Sequence, residues 1–434
     1  MRAAVEEWAA LSGDAQSLLQ EHLRREPGAG VARALLVWAR AEELEEAQLK
    51  ASLAEAFEMS KSEGGQAASQ VYGVFLCALR QWPLAAEHLL NHFAAYPTDE
   101  IAGLMVGAFH ASEDAALQRA GEDLVACQYR LAGPESWTWA SRLAWVCAEQ
   151  GRSEEAIAFA EHALGLFPRS GVAVHARAHA DHEQGAGRDA VTRVDAWLRE
   201  NPAAVQVRHL NWHAALASIA FGDFATARTR ADTVLRRSDV GMRAAVNWRL
   251  LLAGQHPARL SDLTHVRALL SGPGGMAEVF HTFNLALALA CESAVEDLHR
   301  LAAAARTGAR PAYREVLAPV VTALAHVCSG TPQHAIDLLE PLGASLSRLE
   351  GVRVEREIVT DTLARALVDT GHHHRAATLL EQRTTTRRHH TYEDLLLAPS
   401  PGQPTPLPAQ APSPARAGAG VAGPSRPAPA TSRP

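Results

Sequence analysis

Histidine and glutamate recur at helical spacing in two neighbouring segments of this 434-residue chain. His175, His179 and Glu183 follow one another at intervals of four, which places all three side chains on one face of an α-helix. His209 and His213 repeat the pair 34 residues later. Imidazole and carboxylate groups suit zinc, iron or manganese, and they also make directional contacts to polar ligands. The spacing therefore predicts either a metal site or a polar binding surface, provided that the two segments lie side by side.

The interval of 34 residues is also the period of an internal repeat. Residues 141–170 align with residues 175–204, and Gly151 and Gly185 mark a turn at the same point of each. A period of roughly 20–50 residues is typical of solenoids, and 34 is the tetratricopeptide length. One helical hairpin cannot bury its apolar face alone, so neighbouring hairpins stack. We predict an all-α, tetratricopeptide-type solenoid that winds as a right-handed superhelix.

Three regions are predicted along the chain. Residues 1–65 read as helices that cap the array, and residues 66–395 read as the helical repeat domain. Residues 396–434 are dominated by proline, alanine, serine and glycine. Such a segment has too little apolar surface to offset its ordering entropy, so we predict a disordered tail.

Composition argues against several classes of function. The formal net charge is −7 and the only basic run is Arg387–His390. Binding a nucleic-acid backbone needs clustered positive charge, which this chain lacks. The N-terminus lacks the apolar core of a signal peptide, and no apolar run approaches the ~18 residues that span a bilayer. The five cysteines stand apart without a CxxC pair, as expected in a reducing compartment. We expect a cytoplasmic protein that binds neither nucleic acid nor membrane.

The repeat register indicates which way the histidines face. With the turn glycines at position 15 of the consensus, His175, His179 and Glu183 occupy positions 5, 9 and 13, which point into the concave groove of tetratricopeptide domains. Trp212 falls at position 5 of the next repeat. His209 also faces the groove there, and His213 turns partly away. We therefore predict a groove lined by three or four imidazoles, one carboxylate and an indole.

The chain resembles the tetratricopeptide repeat protein 38 family over about residues 30–395. The likeness is strongest in YPTDEIAGL at 96–104, in the hairpins of 137–190, in HARAHADHE at 175–183 and in HLNWHAAL at 209–216. The family motifs HxxAHxxxE and HxYWHxAL match six residues here: His175, His179, Glu183, His209, Trp212 and His213. The resemblance implies a helical solenoid of the tetratricopeptide type.

Three positions depart from that family's pattern. Gly107 stands where the family has a histidine, His281–Asn284 reads HTFN in place of an NDxH-like run, and Arg353 replaces a histidine near the C-terminal glycine. If those histidines complete a catalytic or metal centre in the family, the centre of this chain is altered.

Three interpretations of the cluster stay open. The histidines can form a polar groove wall, bonded to one another, to Glu183 or to water. They can recognise a ligand with Trp212 as a flat apolar surface, or they can hold a metal. We predict a non-catalytic binding or scaffold protein without a cofactor, whose groove takes a protein or peptide partner or a small polar ligand. The alternative is an enzyme dependent on a divalent transition metal such as Zn or Fe, with the histidines as ligands and Glu183 as ligand or general base.

Overall fold

The computed structural model describes residues 1–399 except 113, 238–239, 261–262, 273–275 and 277. Within these residues the secondary structure is helical and no β-strand occurs. The predicted all-α fold is confirmed. Of the predicted disordered tail, residues from 400 onward lie outside the described residues, and positions 396 and 397 end a helix. No helix among the described residues is long and apolar enough to cross a membrane.

The N-terminal third consists of short helices followed by the first hairpin. The α-helices are α1 Arg2–Ala10, α2 Ala15–Arg25, α3 Gly30–Ala39, α4 Glu46–Ser60, α5 Gly65–Ala78, α6 Trp82–Ala95, α7 Glu100–Gly103, α8 Gly107–Ala111 and α9 Ala115–Ala132. Turns of 3₁₀ helix occupy Ala41–Glu43 and Lys61–Glu63.

The remaining helices pair into successive hairpins and then return across the array. They are α10 Trp137–Glu149, α11 Ser153–Leu166, α12 Gly171–Glu183, α13 Arg188–Glu200, α14 Val207–Ala220, α15 Phe224–Asp232, α16 Val240–Leu252, α17 Leu263–Ser271, α18 Val279–Cys291, α19 Val295–Arg306, α20 Ala318–Cys328, α21 Pro332–Leu339, α22 Arg353–Asp369, α23 His373–Thr386 and α24 Thr391–Leu397. Leu235–Arg237 and Glu340–Leu349 are 3₁₀ helix, and Tyr313–Leu317 is a π-helical turn.

Glycine occupies the hairpin turns because the backbone there has a positive φ, which residues with a Cβ rarely adopt. Gly151 has a φ of 74° and Gly185 a φ of 60°. The amide after Gly151 donates a 2.8 Å hydrogen bond to the Cys147 carbonyl, and the amide after Gly185 donates one of 2.8 Å to the Asp181 carbonyl. These bonds satisfy carbonyls at the end of the first helix and fix the angle at which the second helix leaves.

Alanine lies where the two helices of a hairpin cross. The residue five positions after each turn glycine is buried, with at most 4% of its surface exposed, at Ala156, Ala190, Ala227, Ala335 and Ala376. A small side chain at this point lets the two backbones approach closely. Glycine and alanine together therefore explain why the same hairpin recurs along the chain.

The first helices of four consecutive hairpins, α10, α12, α14 and α16, pack side by side. Two large apolar clusters flank these helices. One contains residues between Ala4 and Ala180, and the other contains residues between Trp212 and Leu396. Smaller clusters lie between them, three built of alanine and one that joins Val174, Val194, Trp197 and Leu210. The histidine-bearing helices therefore stand at the boundary between the two large apolar clusters.

The sequence predicted an open groove along these helices, but the C-terminal part of the chain covers them. Trp248 of α16 donates a 2.9 Å hydrogen bond from Nε1 to Thr362 Oγ1 of α22, and Arg249 Nη2 donates one of 2.8 Å to the Val354 carbonyl. The amide of His389 donates to the Gly185 carbonyl at 3.1 Å. These contacts join residues more than 100 positions apart, so hairpin periodicity gave no signal for them.

Buried ion pairs hold this closure in place. Arg387 is buried and pairs with Glu357 and with Glu393, each at 2.7 Å. Glu357 also accepts from His182 of α12, with 2.9 Å between Oε2 and Nε2. The basic run at 387–390 therefore contributes to internal packing through Arg387.

Candidate metal centre and adjoining cavity

Two neighbouring first helices bring four imidazoles together. His175 and His179 lie one turn apart on α12, and His209 and His213 lie one turn apart on α14. Ser170 begins α12 by accepting a 3.2 Å hydrogen bond at its Oγ from the amide of Ala173, which sets the register of the histidines that follow. Because α12 and α14 occupy equivalent positions in adjacent repeats, equivalent residues stand opposite one another.

The Nε2 atoms of the four rings converge. His175 Nε2 lies 2.8 Å from His179 Nε2 and 2.9 Å from His209 Nε2, and His209 Nε2 lies 3.2 Å from His213 Nε2. One nitrogen from each ring can be chosen so that all four lie within 4.8 Å of one another. His179 and His213 are buried, with 3% and 4% of their surface exposed, and the other two are partly buried. We name these four residues the histidine cluster.

Hydrogen bonds can use only two of the three short contacts in the histidine cluster. A ring nitrogen offers one in-plane direction, either an N–H or a lone pair. His175 Nε2 has two close Nε2 neighbours, and so does His209 Nε2, so neither can direct a hydrogen bond at both. A cation at the centre would accept four lone pairs at once, which is the arrangement in which imidazoles bind transition metals.

The opposite ring nitrogens of His179 and His175 lie beside side chains of the kind that orient metal-binding histidines. His179 Nδ1 lies 3.2 Å from Glu149 Oε1, so Nδ1–H donates to the carboxylate and Nε2 keeps its lone pair. His175 Nδ1 lies 3.4 Å from the side-chain nitrogen of Gln206, whose Oε1 has no hydrogen-bond partner among the described residues. A half-turn of that amide places Oε1 against His175 Nδ1 and lets it accept the N–H. His213 Nδ1 is buried without a hydrogen-bond partner among the described residues.

Burial keeps three of the four imidazoles neutral. Desolvation, reinforced by repulsion from neighbouring histidines, lowers the pKa of His175 and His213 well below 6.5 and that of His209 to about 3. Burial by itself would raise the pKa of Glu149, but its interaction with His179 outweighs burial and lowers that pKa overall. His175, His209 and His213 therefore offer neutral nitrogen donors, and the ionised carboxylate of Glu149 lies behind His179.

Glu183, which the sequence grouped with the histidines, lies apart from them. Its Oε1 is 3.2 Å from Arg353 Nε and its Oε2 is 3.9 Å from Arg387 Nη2, so it belongs to the ion pairs that hold the C-terminal helices. The carboxylate that contacts the histidine cluster is Glu149, which occupies the same position one repeat earlier. The 34-residue spacing carried this signal, since helices of adjacent repeats face each other.

Trp212 takes part in packing and offers no open surface. Only 2% of its surface is exposed, and its ring packs against His213 with 4.8 Å between centroids and against His209 with 5.5 Å. Its Nε1 is buried and has no hydrogen-bond partner in the part of the chain that the structure describes. The structure thus brings five of the six predicted residues together, with Trp212 as a wall behind the imidazoles.

A cavity of about 410 Å³ adjoins the histidine cluster. His175 and Glu149 lie at its wall, so the cavity reaches the centre directly. Its other polar groups include His110, Arg142 and Arg356. Its apolar lining includes Trp8, Leu11, Phe109, Val125, Trp145 and Val146. No sequence pattern predicted this cavity, because its walls come from α1, α8, α9, α10, α12 and α22.

A second histidine and carboxylate group lies in the first hairpin. His92 Nε2 is 3.0 Å from Asp99 Oδ2, and His92 Nδ1 is 2.8 Å from Ser69 Oγ. Asp99 also accepts from the Gln66 and Gln70 amides and from two backbone amides that begin α7. Burial would raise the pKa of Asp99, but these donors lower it to about 2. So many donors on one carboxylate indicate a structural joint between α5, α6 and α7.

No protein-family model and no curated protein matches the chain. One solved structure that aligns with it is the structure of Naa15/Naa10 bound to HypK-THB, at 12% identity, covering 88% of this chain and 67% of that one. The TM-score is 0.23, which is too low for the likeness to indicate a function.

Proposed function

We propose that this chain is a metal-centred binding protein, in which His175, His179, His209 and His213 hold one divalent transition-metal ion and the adjoining cavity receives a small ligand. The observation that carries the proposal is the convergence of four Nε2 atoms through three short contacts, of which directed hydrogen bonds can use only two. The carboxylate behind His179 supports it, since metal-binding histidines characteristically donate their other N–H to such a group.

The spacing of the nitrogens supports an ion of the size of zinc. Zn–N bonds of ~2.0–2.1 Å in a tetrahedron place the ligand nitrogens ~3.3 Å apart. The closest Nε2 pairs in the histidine cluster are 2.8, 2.9 and 3.2 Å apart. These three pairs need to separate by only a few tenths of an ångström to admit the ion, and the remaining nitrogen pairs, which lie within 4.8 Å, need to close around it.

The number of ligands favours binding over catalysis. Four imidazoles fill the four positions of a tetrahedral zinc ion, and closed sites of this kind are structural. A metal-dependent enzyme is the second candidate, because the ring of His175 lines the cavity and a six-coordinate ion such as iron would keep two positions open there. Glu183 cannot serve as ligand or general base in this arrangement, since it pairs with Arg353.

A small ligand fits this structure better than a peptide. The helices α22 and α24 occupy the faces of α14 and α16 that an open groove would offer to a partner.

The five cysteines are free thiols, which supports the proposal of a cytoplasmic protein. The motif residues of α12 and α14 support membership in the tetratricopeptide repeat protein 38 family.

Elemental analysis of protein purified without a His tag or chelator tests the proposal. We expect about one zinc or iron per chain, lost in the double variant His175→Ala/His209→Ala. The matched control is His326→Ala/His334→Ala, a pair whose ring centroids are 4.9 Å apart and which belongs to a different part of the chain. A folded wild type that neither contains a transition metal nor takes one up on addition would contradict the proposal.

A further inference from the structure

We propose that the cavity beside the histidine cluster binds a small organic carboxylate with an apolar body, and that the guanidinium of Arg356 holds its carboxylate. This goes beyond the metal-binding proposal, because the walls that carry it are present whether or not an ion is bound. The inference depends on the charges at the cavity wall, on its apolar lining and on its size.

Arg356 is a partly buried cation that forms no direct ion pair with a carboxylate of the described residues. Its Nη1 donates to the backbone carbonyls of Glu350 and Gly351. Burial lowers the pKa of Arg356 by more than the charges of Glu149 and Glu355 raise it, so its charge is only partly compensated. Its remaining N–H groups are therefore available to an anion in the cavity.

The acidic groups at the wall already have donors of their own. Glu149 accepts from His179 Nδ1 at 3.2 Å and from the backbone amide of Arg353 at 3.2 Å. Glu122 accepts from Gln150 Nε2 at 2.7 Å. These two carboxylates keep their negative charge, but their oxygens already accept hydrogen bonds, whereas Arg356 still has N–H groups to donate. Arg356 is therefore the group at the wall that can bind a ligand carboxylate.

The rest of the lining selects an apolar body. The indole rings of Trp8 and Trp145 and the ring of Phe109 face the cavity together with aliphatic side chains. A volume of about 410 Å³ lies in the range of ~300–1,000 Å³ that is usual for small-molecule sites. Aromatic walls with one directional charge are the combination that orients a small amphipathic acid.

The test compares 2-naphthoate with 2-naphthamide, which has nearly the same shape and no charge. We expect calorimetry on the full chain to show 2-naphthoate binding at least tenfold more tightly than the amide. Arg356→Gln should remove that difference, because a hydrogen bond to a charged group contributes about tenfold or more in affinity. Arg353→Gln is the matched control, since Arg353 lies on the same helix, pairs with Glu183 and does not line the cavity.

A second variant keeps the test decisive if Arg356→Gln fails to fold. Gly107 lies at the exposed edge of the cavity, and a Cβ added there meets no atom within 4 Å. Gly107→Trp should therefore fold and weaken 2-naphthoate binding by narrowing the entrance. Titrations of zinc-loaded and of chelator-treated protein separate this inference from the metal proposal. Equal binding of acid and amide, no effect of either cavity variant, or no binding of 2-naphthoate to the wild type would overturn the inference.

Discussion

Glu149→Gln should weaken metal binding without touching a metal ligand. In the wild type the ionised carboxylate accepts the Nδ1–H of His179 at 3.2 Å, which fixes the ring and makes Nε2 a better donor. Glutamine has the same shape but no charge. Replacing such a partner typically lowers metal affinity 10- to 100-fold. At about 1.4 kcal/mol per factor of ten, this corresponds to a loss of roughly 1.4–2.8 kcal/mol.

The assay is a competition for zinc against a chromophoric chelator at pH 7.5. Glu183→Gln provides the control, because it makes the same change at the equivalent position of the next repeat, where the carboxylate faces Arg353. We expect Glu183→Gln to leave zinc affinity within about twofold of the wild type while lowering the free energy of unfolding. Equal affinities in the two variants would refute the assignment of Glu149 as the group behind His179.

Three further changes test the packing around the site. Asp99→Asn should lower the free energy of unfolding by up to about 2 kcal/mol near neutral pH. Because the pKa of Asp99 is depressed from 3.8 to about 2, its stabilisation is present above pH 3.8 and is lost as pH falls through about 2. Equal losses in urea titrations at pH 7 and pH 2.5 would contradict this prediction. Trp248→Phe should lower the free energy of unfolding, measured by thermal unfolding, by about 1 kcal/mol more than Trp212→Phe does. The indole N–H of Trp248 donates a buried hydrogen bond, whereas that of Trp212 has no partner among the described residues. Gly121→Ala should destabilise the fold by about 1–3 kcal/mol, since the added methyl would overlap the Phe109 side chain, and an unchanged urea midpoint would show that the two helices are not packed so closely.

Much of the fold follows from local features that a sequence displays. A glycine with positive φ at a turn and an alanine five residues later are both consequences of one tight helical hairpin, so their recurrence predicts the hairpins. The four histidines were predictable for the same reason. Residues separated by one repeat length lie opposite each other in stacked hairpins, so His175 faces His209.

The rest depends on contacts between distant parts of the chain. Glu149 and Arg353 are 204 residues apart in sequence, yet they meet beside the histidine cluster. The packing of α22 against α16 and the pairing of Arg353 with Glu183 close the groove, and no periodicity encodes these contacts. Helical spacing correctly placed Glu183 on the same face of α12 as the histidines. At the end of that helix, however, its carboxylate pairs with Arg353 and Arg387 and lies apart from the histidine cluster.

X-ray absorption at the metal edge tests the central claim most directly. For the zinc-loaded full chain, the claim that four imidazoles bind one ion predicts four nitrogen neighbours at about 2.0–2.1 Å, with the outer-shell scattering of imidazole rings. The His175→Ala/His209→Ala variant should lose that pattern. A first coordination sphere of oxygen or sulfur atoms, or one with fewer than three imidazoles, would contradict the account.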